Sequence, residues 1–146
     1  MIEPRLNPYT DQSRMRVVHL SLVGGLAAFA ALTLVLSGGE PPDSPVSQVP
    51  AVVSRLIGYA LLVGLTIAVL LCRRRITRLR TGTDRDDWWR VNASTSVVLW
   101  SAALGAGFWG ILAGWLTGDK TLHVLSALVG LACLLWFHPG RLERSG

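Results

Sequence analysis

The chain has 146 residues, 51% of them hydrophobic, and a mean hydropathy of +0.45. The apolar residues are gathered into four blocks, each apolar on every side. A soluble domain of this length could not bury four such helices, so the soluble globular class is excluded. The net charge of +5 and pI near 10.2 would suggest nucleic-acid binding in a soluble domain, but the placement of the arginines gives that charge a different meaning.

Residues 1–16 form a basic tail with Arg5, Arg14 and Arg16. The first block, 17–37, is long enough to cross a ~30 Å hydrocarbon core. It also exceeds the 7–15 residues of a signal-peptide core, so it is expected to remain as an uncleaved first helix. The segment 38–50 (GGEPPDSPVSQVP) has no Lys or Arg and contains Glu40 and Asp43. The second block, 51–72, contains Arg55 about one turn from its start, where the side chain can snorkel to water and meet Glu40, Asp43 or Asp119.

After it comes CRRRITRLR (72–80). Arg73, Arg74, Arg75, Arg78 and Arg80 read as a headgroup anchor, each worth roughly 1 kcal/mol on an anionic surface. In TGTDRDDWWR, Asp84, Asp86 and Asp87 are placed to cap the third helix and pair with nearby guanidiniums. Asn92-Ala93-Ser94 matches a glycosylation sequon but falls on the expected cytoplasmic side. Blocks three (95–116) and four (122–138) are separated by a short turn holding Asp119 and Lys120, and Arg141 and Arg144 follow the last block.

Basic residues thus alternate with chain crossings, as the positive-inside rule requires. The expected architecture is an all-α integral membrane four-helix bundle with both termini cytoplasmic, in a bacterial inner membrane. Its anionic headgroups are the first partner, and no nucleic-acid role is left for the charge. Cys72 and Cys133 belong to no ligand cluster and read as small apolar residues.

Shifted by 80 residues, the first block aligns with the third. Val17/Val97, Val18/Val98, Ser21/Ser101, Gly25/Gly105, Leu32/Leu112, Leu36/Leu116 and Gly38/Gly118 are identical. A shift of 66 aligns LVGL at 62–65 with LVGL at 128–131. Two parallel-repeat hairpins follow, 17–80 and 81–146, related by an axis along the membrane normal. Lipid removes the hydrophobic drive between helices, so packing is expected through small residues: Gly24 and Ala28, Gly58 and Gly64, Ala102, Ala106, Gly110 and Gly114, and Gly130. Trp88, Trp89, Trp115 and Trp136 read as interfacial anchors, and Trp100 and Trp109 as packing residues.

The Arg16-Val17-Val18-His19-Leu20 start, with ALGAGFWGILAGWLTG (103–118) and FHPGRLE (137–143), resembles small bacterial four-transmembrane-helix proteins built from a duplicated hairpin. The resemblance implies the fold and carries no activity. Where such proteins often hold a glutamate in the third helix, this chain has Leu104, Gly105 and Ala106. The hairpins are also similar in a generic way to the rotor proteolipids of ATP synthases.

Between the expected span ends there is no Asp, Glu or Lys, which argues against coupled transport. A structural or accessory membrane component of a larger membrane complex is the leading expectation, without catalysis or cofactor; a membrane-protein partner or a homo-oligomer are the partners the sequence leaves open. A minimal oligomeric carrier or channel is the alternative, with only Ser21, Thr33, Thr66, Ser101 and Ser126 to line a path. A haem protein is the third reading: His19 and His138 share a leaflet on the first and last helices, as bis-histidine ligation requires.

Overall fold

A computed structural model describes residues 11–36, 51–77, 79 and 82–145; Arg78 and Arg80, with Glu40 and Asp43, lie outside them. The described residues form five helices and no strand: α1 (Asp11–Leu36), α2 (Ala51–Arg75), α3 (Arg85–Thr117), α4 (Lys120–Trp136) and α5 (Pro139–Ser145). Of the segment 1–16, the part from Asp11 onward is therefore the first turns of α1. α1, α2 and α3 are long and apolar enough to cross a membrane, and α4 is an apolar helix of 17 residues.

Local chemistry sets the helix ends. The last turn of α2 carries Arg73, Arg74 and Arg75, cations at the negative end of the helix dipole. Asp86 and Asp87 occupy the first turn of α3, the complementary arrangement. The N-cap is Asp84, which is extended but makes no side-chain capping bond. Gly118 ends α3 in the left-handed region (φ 67°), where a Cβ would be strained. Asp119 starts α4 at once, its carboxylate accepting from the Leu122 amide at 3.0 Å. α4 stops before Pro139, which opens α5 at the position where a missing N–H costs nothing.

α3 is the axis of the molecule. α1 and α4 pack along one side of it and α2 along another, with only a marginal approach of α1 to α2. The first two helices thus do not close on each other as the second pair does. α3 is also longer than a membrane needs: 33 residues at 1.5 Å rise reach about 50 Å, against ~30 Å of hydrocarbon. Its first turns extend beyond that length and carry the same core onward, with Ile76, Trp88, Trp89 and Leu142 all buried.

That extension corrects the reading of the tryptophans. Trp88 and Trp89 are 4% and 0% exposed, not surface anchors, whereas Trp109 is half exposed on the outer face of α3. Trp136 remains outward, with the Arg141 guanidinium 3.6 Å above its ring.

Candidate functional site

The contact between α3 and α4 is a seam of missing side chains. A Cβ on Gly130 would lie 2.7 Å from the Gly107 Cα, and one on Gly114 would lie 2.5 Å from the His123 amide nitrogen. Gly110 is closed by Ser126, while Gly58 receives Leu122 and Ala113. Ala106 is buried and Ala102 half-buried on the same helix. Gly24, Ala28 and Gly64 are placed otherwise. All three are exposed, and a Cβ on Gly24 or Gly64 would meet nothing within 4 Å. Expected as seam residues, they lie on the outward faces of α1 and α2, because those helices turn other residues, Leu26, Ala30, Leu62 and Val69, toward the core.

Two polar layers cross the interior. At one end, Thr33 of α1 gives its hydroxyl to the Phe29 carbonyl (2.8 Å) and lies 3.3 Å from His123 Nε2 of α4; both side chains are buried. Near this layer Arg55 Nε pairs with Asp119 Oδ2 at 3.3 Å; the other two acids named for Arg55, Glu40 and Asp43, lie outside the described residues.

At the other end, the chain's turn at His138–Pro139 leaves carbonyls of α4 without helical donors. His19 Nε2 lies 2.8 Å from the Leu134 carbonyl, to which it donates, and Trp100 Nε1 donates to the Phe137 carbonyl at 2.7 Å. The two rings meet edge to face at 5.1 Å.

Beyond this layer lies a feature the sequence did not announce. Glu143 of α5 is 8% exposed, and its Oε1 accepts from both Trp89 Nε1 and Gln12 Nε2 at 2.9 Å; Arg85 Nε stands 4.0 Å from Oε2. Nearby, Asn92 clasps the end of α2. It accepts from the Thr77 amide at 3.1 Å and donates to the Trp88 carbonyl, and at 3% exposure it is closed to glycosylation.

His19 and His138 line one cleft, of about 510 Å³, between α1 and the α4–α5 corner; Arg16, Leu20, Leu135, Pro139 and Gly140 complete it. His19 is buried with Nε2 committed to a carbonyl, and His138 is exposed. A bis-histidine haem would have to take His19 through the other ring nitrogen or break that bond. The polar residues named for a channel do not line a common path: Thr33 and Ser126 are buried, Thr66 bonds the Leu62 carbonyl, and Ser21 and Ser101 face outward.

Compared with known proteins, the chain matches no family model, no curated protein and no solved structure.

Proposed function

We propose that this chain is an integral membrane protein acting as a structural or accessory component of a larger assembly, without catalysis of its own. α1, α2 and α3 have the length and apolarity to span, and α4 completes a four-helix bundle as a short fourth crossing. The orientation follows from charge. The starts of α1 and α3 and the ends of α2 and α4 meet at one end, linked by Gln12–Asp86, Gln12–Glu143 and Thr77–Asn92. Arg14, Arg16, Arg73, Arg74, Arg75, Arg85, Arg90 and Arg141 belong to those same ends, and the positive-inside rule then supports the reading with both termini in the cytoplasm, in a bacterial inner membrane. The duplicated hairpin has support from the register of α1 and α3 only, since α1 and α2 do not repeat the α3–α4 contact. α1 runs alongside α3, pairing His19 with Trp100 and Leu26 with Gly107, close to the 80-residue shift at which the sequence aligns with itself.

The observation that carries the accessory reading is the outward placement of Gly24, Ala28 and Gly64. Lipid does not require small residues on a helix surface, whereas a neighbouring transmembrane helix does, because they let backbones approach. Native mass spectrometry of the protein gently extracted from its own membranes tests this. A mass of this chain plus a different subunit in fixed ratio is expected. A homo-oligomer without other proteins would move the carrier or channel reading to the front.

A further inference from the structure

The cleft between α1 and the α4–α5 corner combines two chemistries. Its rim carries Arg16 and His138, both exposed, and among the described residues no acidic side chain lines it. Its walls continue downward as Leu20 and Leu135, which are 66% and 58% exposed along the groove between α1 and α4. The rim lies where α4 stops, at headgroup level, and Gly140 leaves room for the His138 ring there: a Cβ on Gly140 would stand 3.3 Å from its Cε1. His19 fixes the back wall, because its ring is tied to α4 through the Leu134 carbonyl.

A rim with one fixed cation, Arg16, and the hydrogen-bonding imidazole of His138 above an apolar groove fits one class of molecule. We infer that this cleft holds a single anionic phospholipid, its phosphate between Arg16 and His138 and its acyl chains along Leu20 and Leu135. The inference rests on the membrane-spanning reading and goes beyond the diffuse headgroup attraction expected of the arginines after α2, because it names one site with a defined stoichiometry.

The full chain, purified in detergent, would be titrated with phosphatidylglycerol and separately with phosphatidylcholine of the same acyl chains, counting bound lipids by native mass spectrometry. The first site is expected to favour the anionic lipid about tenfold, the effect of one to two basic groups at a membrane surface. Arg16→Gln with His138→Asn should abolish that preference. Arg14→Gln removes the same charge two residues away from an exposed position that does not line the cleft, and should leave the preference intact. Equal retention of the two lipids by the unaltered chain overturns the inference, as does equal loss in R14Q and R16Q, which would mean diffuse charge. Displacement of the lipid by millimolar inorganic phosphate would mark a small-anion site instead, and a Soret band on adding haem, with loss of lipid, a haem site; either result overturns it. Washing membranes with alkaline carbonate separates the two levels of failure. A chain that washes off sinks the membrane reading itself, and one that stays without lipid preference sinks only this site.

Discussion

Gly107 and Gly130 pack backbone on backbone. A Cβ built on Gly130 would stand 2.7 Å from the Gly107 Cα, and one built on Gly107 would stand 3.3 Å from the Gly130 Cα, with Leu26 of α1 closing the same space. Three helices therefore meet at a point where no side chain fits, and neither backbone can move aside as a flexible side chain would. Gly130→Ala is expected to destabilise the protein by about 1–3 kcal/mol, the usual cost of overpacking. Unfolding in detergent micelles, followed by circular dichroism, checks it. An unchanged midpoint would mean that α3 and α4 are not in this contact.

Gly24 and Gly64 give the contrasting case. Both are helical and open, so alanine should stabilise the isolated chain slightly, by up to about 1 kcal/mol from helix propensity. If the outward faces meet a neighbouring helix, the same two substitutions weaken the assembly extracted from native membranes. Gain in the isolated chain together with loss of the complex is the expected pattern, read by unfolding and by native mass spectrometry on the same variants. Gain without any loss would remove the main support for the accessory reading.

Glu143 separates shape from charge. Its Oε1 accepts from Trp89 and Gln12, and a glutamine carbonyl has the two lone pairs to keep both bonds. The Arg85 contact is long and Arg85 is 63% exposed, so losing it should matter little. Glu143→Gln should therefore be close to neutral. Glu143→Ala leaves the buried Trp89 indole N–H without its partner and is expected to cost about 1–3 kcal/mol. Comparable loss in both variants would show that the ion pair, and not the hydrogen bonds, holds α5 to α3.

Asp119 has two tasks, and they can be divided. Asp119→Asn keeps an oxygen for the Leu122 amide but gives up the pair with Arg55, while Asp119→Ala loses both. Arg55 is 47% exposed, so solvent screens the pair and D119N should cost well under about 1 kcal/mol, shrinking further in high salt. D119A should cost about 1 kcal/mol more through the lost cap. Thermal unfolding at low and high salt tests the division, and a salt-insensitive cost in D119N would contradict it.

Helix existence was legible because it depends on composition and length alone, and the four apolar blocks correspond to α1–α4. Helix facing was not legible. α1 is apolar all round, so nothing in its periodicity says that Leu26 and Ala30 turn inward while Gly24 and Ala28 turn outward. Composition alone makes every small residue a candidate contact, yet a Cβ at Gly58 or Gly130 would meet neighbouring atoms and one at Gly24 or Gly64 would meet nothing within 4 Å. Trp88 and Trp89 looked interfacial because they stand at the edge of an apolar block; they are buried because α3 starts well before the block does. Glu143 sits in RLERSG, a pattern that reads as a solvated tail. Only the turn at Pro139, which folds α5 back onto Trp89, reveals it as a buried acceptor.

The length of α4 decides the topology. Seventeen residues rise about 25 Å, a little short of the ~30 Å core, so a crossing here needs either local thinning of the bilayer or the extra reach of Phe137 and the turn beyond it. The alternative is a helix that dips into the membrane and leaves by the side it came from. α4 runs antiparallel to α3 from Gly114–His123 to Trp100–Phe137, and its exposed Leu128 and Leu135 call for lipid along its length, which favours the full crossing. Alkaline phosphatase, active only outside the inner membrane, reports the difference when fused after selected residues. Activity is expected after residue 45 and absent after residues 82 and 146. Activity after residue 146 would mean that three helices cross and α4 does not, and would contradict the bonds of Glu143 to Trp89 and Gln12 at the other end.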